Sequence, residues 1–551
     1  MTRRYSFALL AMLLLMSLVA AGCSQKSNSG SGSNSGTADS SGSSGQSTEP
    51  KEKMTMFMSN SGLAYPDGVD PSNNPYINII ENYANVDLQM DVPGYQDFKT
   101  KLDLLLASGK LPDIVHSTYP DDMNKAGDQG AFIDLKSYYD KSPVIQKYIT
   151  PQMMELAKSP SGHYYRIPMA WDKGPQGSGV LVRYDLVQKY NNGKWPESVD
   201  EWIAMMRKMH QAEPNSLVMS NRVINTTGLA YGGTPIYSWY GALPYQIRVQ
   251  DGKVMSTFTL PEYRAATIVM KQLYDEGILD KEFATKDLDG WNQAENYKNT
   301  LMEYNTADQL VLFATGVEVA GKEHSEETKD RRYLFAPPLK QYPSVLKDPK
   351  YAQAFKSLPI TGHGLYIPDS TKDKDRAWKV IEGFASPDLW ENVFWGKEGE
   401  TYTVQNGKKI PDAAKISDPS RAWSLQLAII FGFTDGQDVK KATVEQYSGT
   451  EYSNMIYDSL KPMAEQADRN GIGIMPGYVP SNEAAAQLPE TAAFITNATV
   501  QAIMGKISME QFDQSVQDFN RKYGFIYDEQ TKYMTEHKDE LRNLGVKMVD
   551  W

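Results

Sequence analysis

The sequence predicts an α/β protein large enough for two domains. Two observations carry this reading: short apolar strand candidates alternate with amphipathic helices, and 551 residues suffice for two real cores. Residues 54–58 read as the strand that opens the folded body. Phe98, Leu102, Leu105 and Leu106 follow at i, i+4, i+7 and i+8, one face of a helix. That helix should stop at Ala107-Ser108-Gly109, with Gly109 suited to a left-handed cap and Pro112 just beyond. Asp113, Ile114 and Val115 then begin a strand, which completes a βαβ unit. Residues 179–184 read as another strand. Residues 196–209 read as a helix with Trp202, Met205, Met206 and Met209 on one face, and Tyr263, Ala266, Met270 and Leu273 line a further helix ending at Gly277. Near the C-terminus Ser508 and Gln511 form a capping box, Met509, Phe512, Val516, Phe519 and Tyr523 continue at helical spacing, and Gly524 is expected to close the element.

The N-terminal residues have a different character. Arg3 and Arg4 precede an apolar stretch over 7–19, and Ala20, Ala21 and Gly22 lead into Cys23. Positive, apolar and small segments in that order are the layout of a secretory signal. The apolar run is shorter than the ~20 residues a membrane helix needs. Cys23 is the chain's single cysteine, so no disulfide can form within it. Its position resembles the lipobox of bacterial lipoproteins, with Ala20 standing where leucine is usual. The alternative is an ordinary signal with a chance cysteine. The expected organisation is a signal peptide at 1–22, then a lipid anchor and Ser/Gly-rich flexible tether at 23–52. That places the protein on the extracytoplasmic face of the cell membrane, held by lipid alone.

The net charge of −12 argues against nucleic acid, whose binding requires neutralising phosphates with Lys and Arg. It also disfavours broad contact with anionic membranes. No phosphate-binding loop, dinucleotide fingerprint, HExxH, CxxC or GxSxG motif occurs. The 33 Tyr and 10 Trp outnumber the 17 Phe. Flat amphipathic rings can stack on sugar faces while their polar edges form hydrogen bonds, although ordinary core aromatics give the same composition.

Several segments, taken in order, resemble the extracellular solute-binding proteins of the maltose-binding superfamily, notably the large lipoproteins of Gram-positive bacteria. KLDLLLASGKLPDIV at 101–115 is similar to the family's helix–turn–strand signature. GAFIDL at 130–135, YYRIP at 164–168, VRYDL at 182–186 and WPESVDEW at 195–202 follow in family order. So do Asp251-Gly252-Lys253, Pro261-Glu262-Tyr263, LYDEGIL at 273–279, FWGKEGETY at 394–402 and IMGK at 503–506. The resemblance implies a two-lobed periplasmic-binding-protein-like fold with hinge-linked lobes and a central cleft. It places the N-terminal lobe at 54–172 plus 360–432 and the C-terminal lobe at 178–355 plus 440–551. The chain would cross between them near 172–180, 355–365 and 430–440.

The implied function is that of the substrate-binding component of an ABC importer. It would capture an oligosaccharide by closing two lobes on it and deliver it to the membrane permease subunits. A monomer without cofactor is expected, and no catalysis. Several relatives carry a calcium loop after the helix that starts at WPESVDEW. Here that place reads QAEPNSL at 211–217, with a single acidic residue, so no metal is expected. The rival readings are a binder of peptide or another small solute on the same fold, a sensor subunit, and a secreted carbohydrate-active enzyme. The enzyme would need two carboxylates held across a glycosidic bond.

Ligand candidates are aromatic or polar residues just after a strand or at a crossing, since open α/β sheets bind at the carboxyl ends of their strands. Tyr119 follows a strand, and a surface-loop role is its alternative. Trp171 and Asp172 stand at the first crossing. Tyr237, Trp239 and Tyr240 crowd a segment expected to be too short to bury all three, so Trp239 and Tyr240 are candidates. Trp291, Asn305 and His363 complete the set with Trp395, whose position can equally be structural. The Asn60–Asn74 stretch is either a remnant of a family loop or plain surface.

Overall fold

The computed structural model describes residues 50–170, 177–224, 227–286, 300–306, 330–352, 355–356, 358–432, 437–470 and 475–547. Nine strands form its two principal sheets: β1 (Glu52–Phe57), β2 (Val86–Asp91), β3 (Ile114–Ser117), β4 (Ile167–Ala170), β5 (Gly177–Arg183), β6 (Met302–Thr306), β7 (Tyr333–Phe335), β8 (Phe355–Lys356) and β9 (Ile360–Tyr366). The first sheet has the order β2-β1-β3-β9-β4. Strands β1, β2 and β3 run parallel, and β9 is antiparallel to both β3 and β4. In the second sheet β6, β7 and β8 all pair antiparallel with β5. Two α/β lobes result, one around each sheet.

Local chemistry explains the elements that matter most. Helix α1 (Pro75–Ala84) starts on Asn74, whose Oδ1 accepts from the backbone N–H groups of Tyr76 and Ile77, with Pro75 in the first turn. The Asn60–Asn74 stretch therefore serves folding in part. Helix α2 (Tyr95–Ser108) buries Phe98 and Leu102 and ends on Gly109 at φ 64°, the cap the sequence suggests. Helix α3 (Pro120–Asp128) begins directly after Tyr119. In the second lobe, Ser198 caps helix α4 (Val199–Ala212) by accepting from the Glu201 N–H. The short helix α5 (Pro235–Trp239) and helix α6 (Pro261–Asp275) follow. The long segment α7 (Gln437–Asn470) is interrupted at Gly449, with φ 85° and ψ 158°. Helices α8 (Asn482–Ile503) and α9 (Met509–Glu536) follow, α9 opening on the Ser508/Gln511 capping box, and a short helix at Lys538–Asn543 comes after them.

Gly524 does not close that last element. Helix α9 continues to Glu536, because Ile526, Gln530 and Met534 extend the buried stripe of Phe512, Phe519 and Tyr523. A glycine inside a helix costs ~1 kcal/mol. Burying side chains such as Ile526 and Met534 offsets it, at ~1.5–3 kcal/mol each.

The first core joins residues 54–170 with residues 360–439, including Met54, Leu88, Ile114, Leu365 and Ile381. The second joins residues 180–339 with residues 484–526, including Val182, Trp202, Tyr263, Met302 and Phe519. On the other face of the second sheet, α7 packs on Leu181 and Phe335 through Ile456 and Met463. Gly177 and Gly179 are what let it approach. A Cβ on Gly177 would lie 2.5 Å from Met463 Sδ, and one on Gly179 2.7 Å from Met463 Cγ.

Three passages of chain connect the lobes, and the described residues beside them are hydrogen-bonded to one another. The first leaves β4 at Ala170 and enters β5 at Gly177. The second leaves β8, paired with Gly177 and Ser178, and enters β9 at Ile360, paired with Ala170. The third runs from Gly432 to α7, and its approach is tied to β4 where the Ala170 N–H donates to the Ile430 carbonyl at 3.0 Å.

Candidate functional site

Strand β1 lies between β2 and β3, the strands reached through α1 and α2 in turn. The edge outside the carboxyl ends of β1 and β3 is therefore the switch point at which open α/β sheets form crevices. Four pieces of chain meet there: Ser59–Gly62 after β1, Thr118 and Tyr119 after β3, the end of β4, and the start of antiparallel β9. It is also the edge from which the chain passes to the second lobe.

Tyr119 is 37 % exposed. Phe98 stacks on its ring at 6.3 Å and 18°, and Lys99 Nζ lies 5.3 Å from the ring centre. An aromatic backed in this way and more than a third exposed is a surface on which an apolar face can settle.

His363 lies on a bulge of β9. Ile360 pairs with Ala170 and Gly364 with Pro168, so Thr361, Gly362 and His363 stand opposite Met169 alone. The buried Arg166, just before β4, holds the bulge, its Nη1 donating to the carbonyls of Thr361 (3.0 Å), Gly362 (3.0 Å) and His363 (3.3 Å). Both glycines flanking His363 have a steric reason. A Cβ on Gly362 would come within 2.9 Å of the Thr118 carbonyl, and one on Gly364 within 2.9 Å of Arg166 Cδ. Behind His363 lies the fully buried His116, with His116 Nε2 3.1 Å from His363 Nδ1 and His116 Nδ1 3.2 Å from the Ser59 N–H. Burial, reinforced by the Arg166 charge, pulls the His363 pKa down to about 4. Burial and His363 hold His116 well below the ordinary imidazole range.

The structure thus brings Tyr119 and His363 to one edge. Trp171 and Asp172 directly follow Ala170 but lie outside the described residues, as do Trp291 and Cys23. Asn305 is at the crossing end of the second sheet, opposite Gly179, but it is buried and its amide donates to Glu303 Oε1 at 2.6 Å. Tyr240 is half-buried and packs against the second core.

Two candidates are corrected. Trp239 has 0 % exposure and stacks on Trp202 at 5.2 Å and 24°. Its segment is not an open loop but helix α5, which also buries Tyr237, so two of the three aromatics lie in the core and only Tyr240 keeps exposed surface. Trp395 belongs to the first core, edge-on to Tyr402 at 5.5 Å with Lys409 Nζ 5.1 Å from its ring. It is a structural landmark.

His116, Arg166, Ser59 and Glu303 were missed. A histidine inside the apolar strand at 114–117, and a histidine between two glycines, were the available signals for the imidazole pair. Arg166 and Glu303 carry no local pattern, because only the folded sheet reveals their burial.

Glu303 gives a pH test. Burial raises its carboxyl from 4.5 to about 7, against the opposing effects of the Asn305 hydrogen bond and the Arg222 charge. The folded state keeps the proton up to about pH 7, whereas the unfolded chain loses it near 4.5. The folded state therefore binds more protons in that window, and this group's contribution falls as pH rises through it. Glu303→Gln is expected to match the wild type near pH 4.5 and to exceed its stability by ~3 kcal/mol near pH 8. Urea unfolding at both pH values checks this, and an equal gain at both would remove titration as the cause. The low-pKa imidazoles act in the opposite sense, losing stability below about pH 6.5, but they are common to both proteins.

Among the described residues no group of three or more His, Cys, Asp or Glu side chains could hold a metal ion, and no helix is long and apolar enough to cross a membrane.

Two α/β lobes, joined by three passages whose described flanks meet at one edge of the first sheet beside polar and aromatic side chains, define a two-lobed solute-binding architecture. The chain belongs to the bacterial extracellular solute-binding protein family, whose pattern it matches over residues 73–389, more than half its length. It is 24% identical over 350 residues to lipoprotein LipO of Bacillus subtilis, covering 60% of this chain and 65% of LipO. It is 26% identical over 310 residues to FusA of Streptococcus pneumoniae, a fructooligosaccharide ABC transporter substrate-binding protein, covering 52% of this chain and 54% of FusA. The matches thus span between half and two thirds of these relatives' lengths. The solved structure of FusA with kestose is similar in fold, with a TM-score of 0.63 at 17% identity over 89% of this chain and 100% of that one. A human-milk-oligosaccharide (HMO)-binding, ABC-transporter-associated solute-binding protein of Bifidobacterium longum infantis gives 0.63 at 16% identity, covering 88% of this chain and 99% of that one.

Proposed function

We propose that this protein is the extracytoplasmic substrate-binding component of an ABC importer and captures an oligosaccharide at the edge where the chain passes between its lobes. The observation that carries the reading is the meeting of the Tyr119 platform and the His363 bulge at the switch point of the first sheet, beside all three passages. Family membership and the oligosaccharide relatives named above support the same ligand class. The lobes are proposed as 54–172 plus 360–432 and 178–355 plus 440–551. Trp171, Asp172, Trp291 and Tyr240 are proposed as further ligand contacts. Cys23 is the proposed lipidation site after a signal peptide at 1–22, and loss of palmitate labelling in Cys23→Ala checks it. The protein works as a monomer, hands its solute to the permease subunits and performs no catalysis.

Calorimetry against fructo-oligosaccharides, oligogalacturonates and neutral plant glucans tests the proposal. At least one oligosaccharide of two or more units should bind and be recovered intact. Tyr119→Ala should then weaken its binding by ~1–2 kcal/mol. Silence across the sugars with a response to peptides would overturn the assignment, and cleaved sugar would restore the enzyme reading.

A further inference from the structure

We propose that His363 is a specificity-determining residue with a fixed tautomer, presenting its Nε2–H as an uncharged donor to an acceptor oxygen of the bound sugar, and that His116 and the Ser59 backbone set that tautomer. The ligand class rests on the function proposed above, whereas the tautomer rests on this structure alone.

The relay follows from donor and acceptor chemistry. A backbone N–H can only donate, so the Ser59 N–H makes His116 Nδ1 an acceptor at 3.2 Å. A neutral His116 must then carry its proton on Nε2, which lies 3.1 Å from His363 Nδ1. That proton makes His363 Nδ1 an acceptor in turn, leaving the His363 proton on Nε2. Protonating either ring would set N–H against N–H, either between the two rings or against the Ser59 backbone. The charged and titratable neighbours do not alter this. Arg166, just before β4, adds positive charge and is itself influenced by Tyr366 on β9 and Asp121 on α3.

The backbone explains why this donor is presented at all. In a regular ladder His363 would stand in register with β4. The bulge takes it out of register, and the three carbonyls gathered by Arg166 hold the bulge in place. Gly362 and Gly364 permit the close approaches this requires. His363 is partly exposed whereas His116 is fully buried, so the outer residue of the pair is the one available to a ligand. A neutral N–H in this position matches a sugar hydroxyl or ring oxygen and cannot serve as an acceptor.

Long-range nitrogen–proton NMR of histidine-labelled protein tests the tautomers, with signals assigned by their loss in His363→Phe and His116→Leu. Both imidazoles are expected as neutral Nε2–H forms near pH 7. An Nδ1–H form or an imidazolium at His363 overturns the inference, whether or not any sugar binds. His116→Leu should admit the Nδ1–H form at His363, while His116→Gln, which keeps a donor, should largely preserve Nε2–H. Unchanged tautomers in both variants would also overturn it. With kestose, or whichever trial oligosaccharide binds the wild type, His363→Phe should weaken binding at least tenfold and His363→Gln less. Equal affinity in His363→Phe removes His363 from the site but leaves the sugar assignment standing. A wild type that binds no sugar refutes the ligand class and leaves the relay to the spectra.

Discussion

Replacing Trp239 by Ala is expected to destabilise the protein by ~3–5 kcal/mol, the range for removing a fully buried Trp or Phe side chain. Trp239 has no exposed surface, and its indole lies flat against Trp202, which also contacts Trp195. Deleting it would empty a large volume beneath β5 and β6, and elements packed from several sides cannot collapse to refill it. The indole N–H has no hydrogen-bond partner among the described residues, so Trp239→Phe should cost distinctly less than Trp239→Ala. Urea unfolding of both variants, alongside calorimetry on the folded protein, separates a core role from a ligand role. A stable Trp239→Ala protein that has lost sugar binding would instead place Trp239 in the ligand site.

Glu262→Ala should produce a loss of similar size, ~3–5 kcal/mol, for an electrostatic reason. Arg248 and Glu262 are 3% and 8% exposed and lie 2.9 Å apart. The Arg248 guanidinium also donates to the Gly241 carbonyl and lies 4.4 Å from the Tyr351 ring centre. Removing the carboxylate leaves a buried cation whose remaining partners among the described residues carry no full charge. The pair itself is worth much less than its rupture, because both ions lost their hydration on folding. The double variant Arg248→Met/Glu262→Leu should therefore recover most of the loss. Denaturation of the single and double variants measures this directly. If the double variant is no more stable than Glu262→Ala, an orphaned charge is not the source of the loss.

Periodicity made the scaffold legible. Phe98 and Leu102 marked the buried face of α2, Gly109 its cap, and Ser508 with Gln511 the start of α9, because these signals are local. Gly524 misled for the same reason: a local stop signal was outweighed by a buried stripe that continued past it. The place of Tyr119 at the sheet edge was legible from its position after a strand, and Gly-His-Gly marked the unusual backbone at His363. It was not legible where burial decided the matter. Trp239 and Tyr240 are neighbours in one short segment, yet one is sealed in the core and the other half-buried, a difference set by α4 and α6 rather than by their own sequence. Arg166 and His116 gain meaning only once β9, 195 and 247 residues away at Thr361 and His363, lies beside them.

The ladder pairs Phe355 with Ser178, Lys356 with Gly177 and Ile360 with Ala170, and Ala170 in turn bonds to Ile430. The spacing between the lobes is thus recorded redundantly. A residue inserted into one passage cannot lengthen the bridge, since the others still hold the original register, and it must loop out instead. Homologues that truly alter the reach between their lobes should therefore carry matched length changes at separate places in the chain.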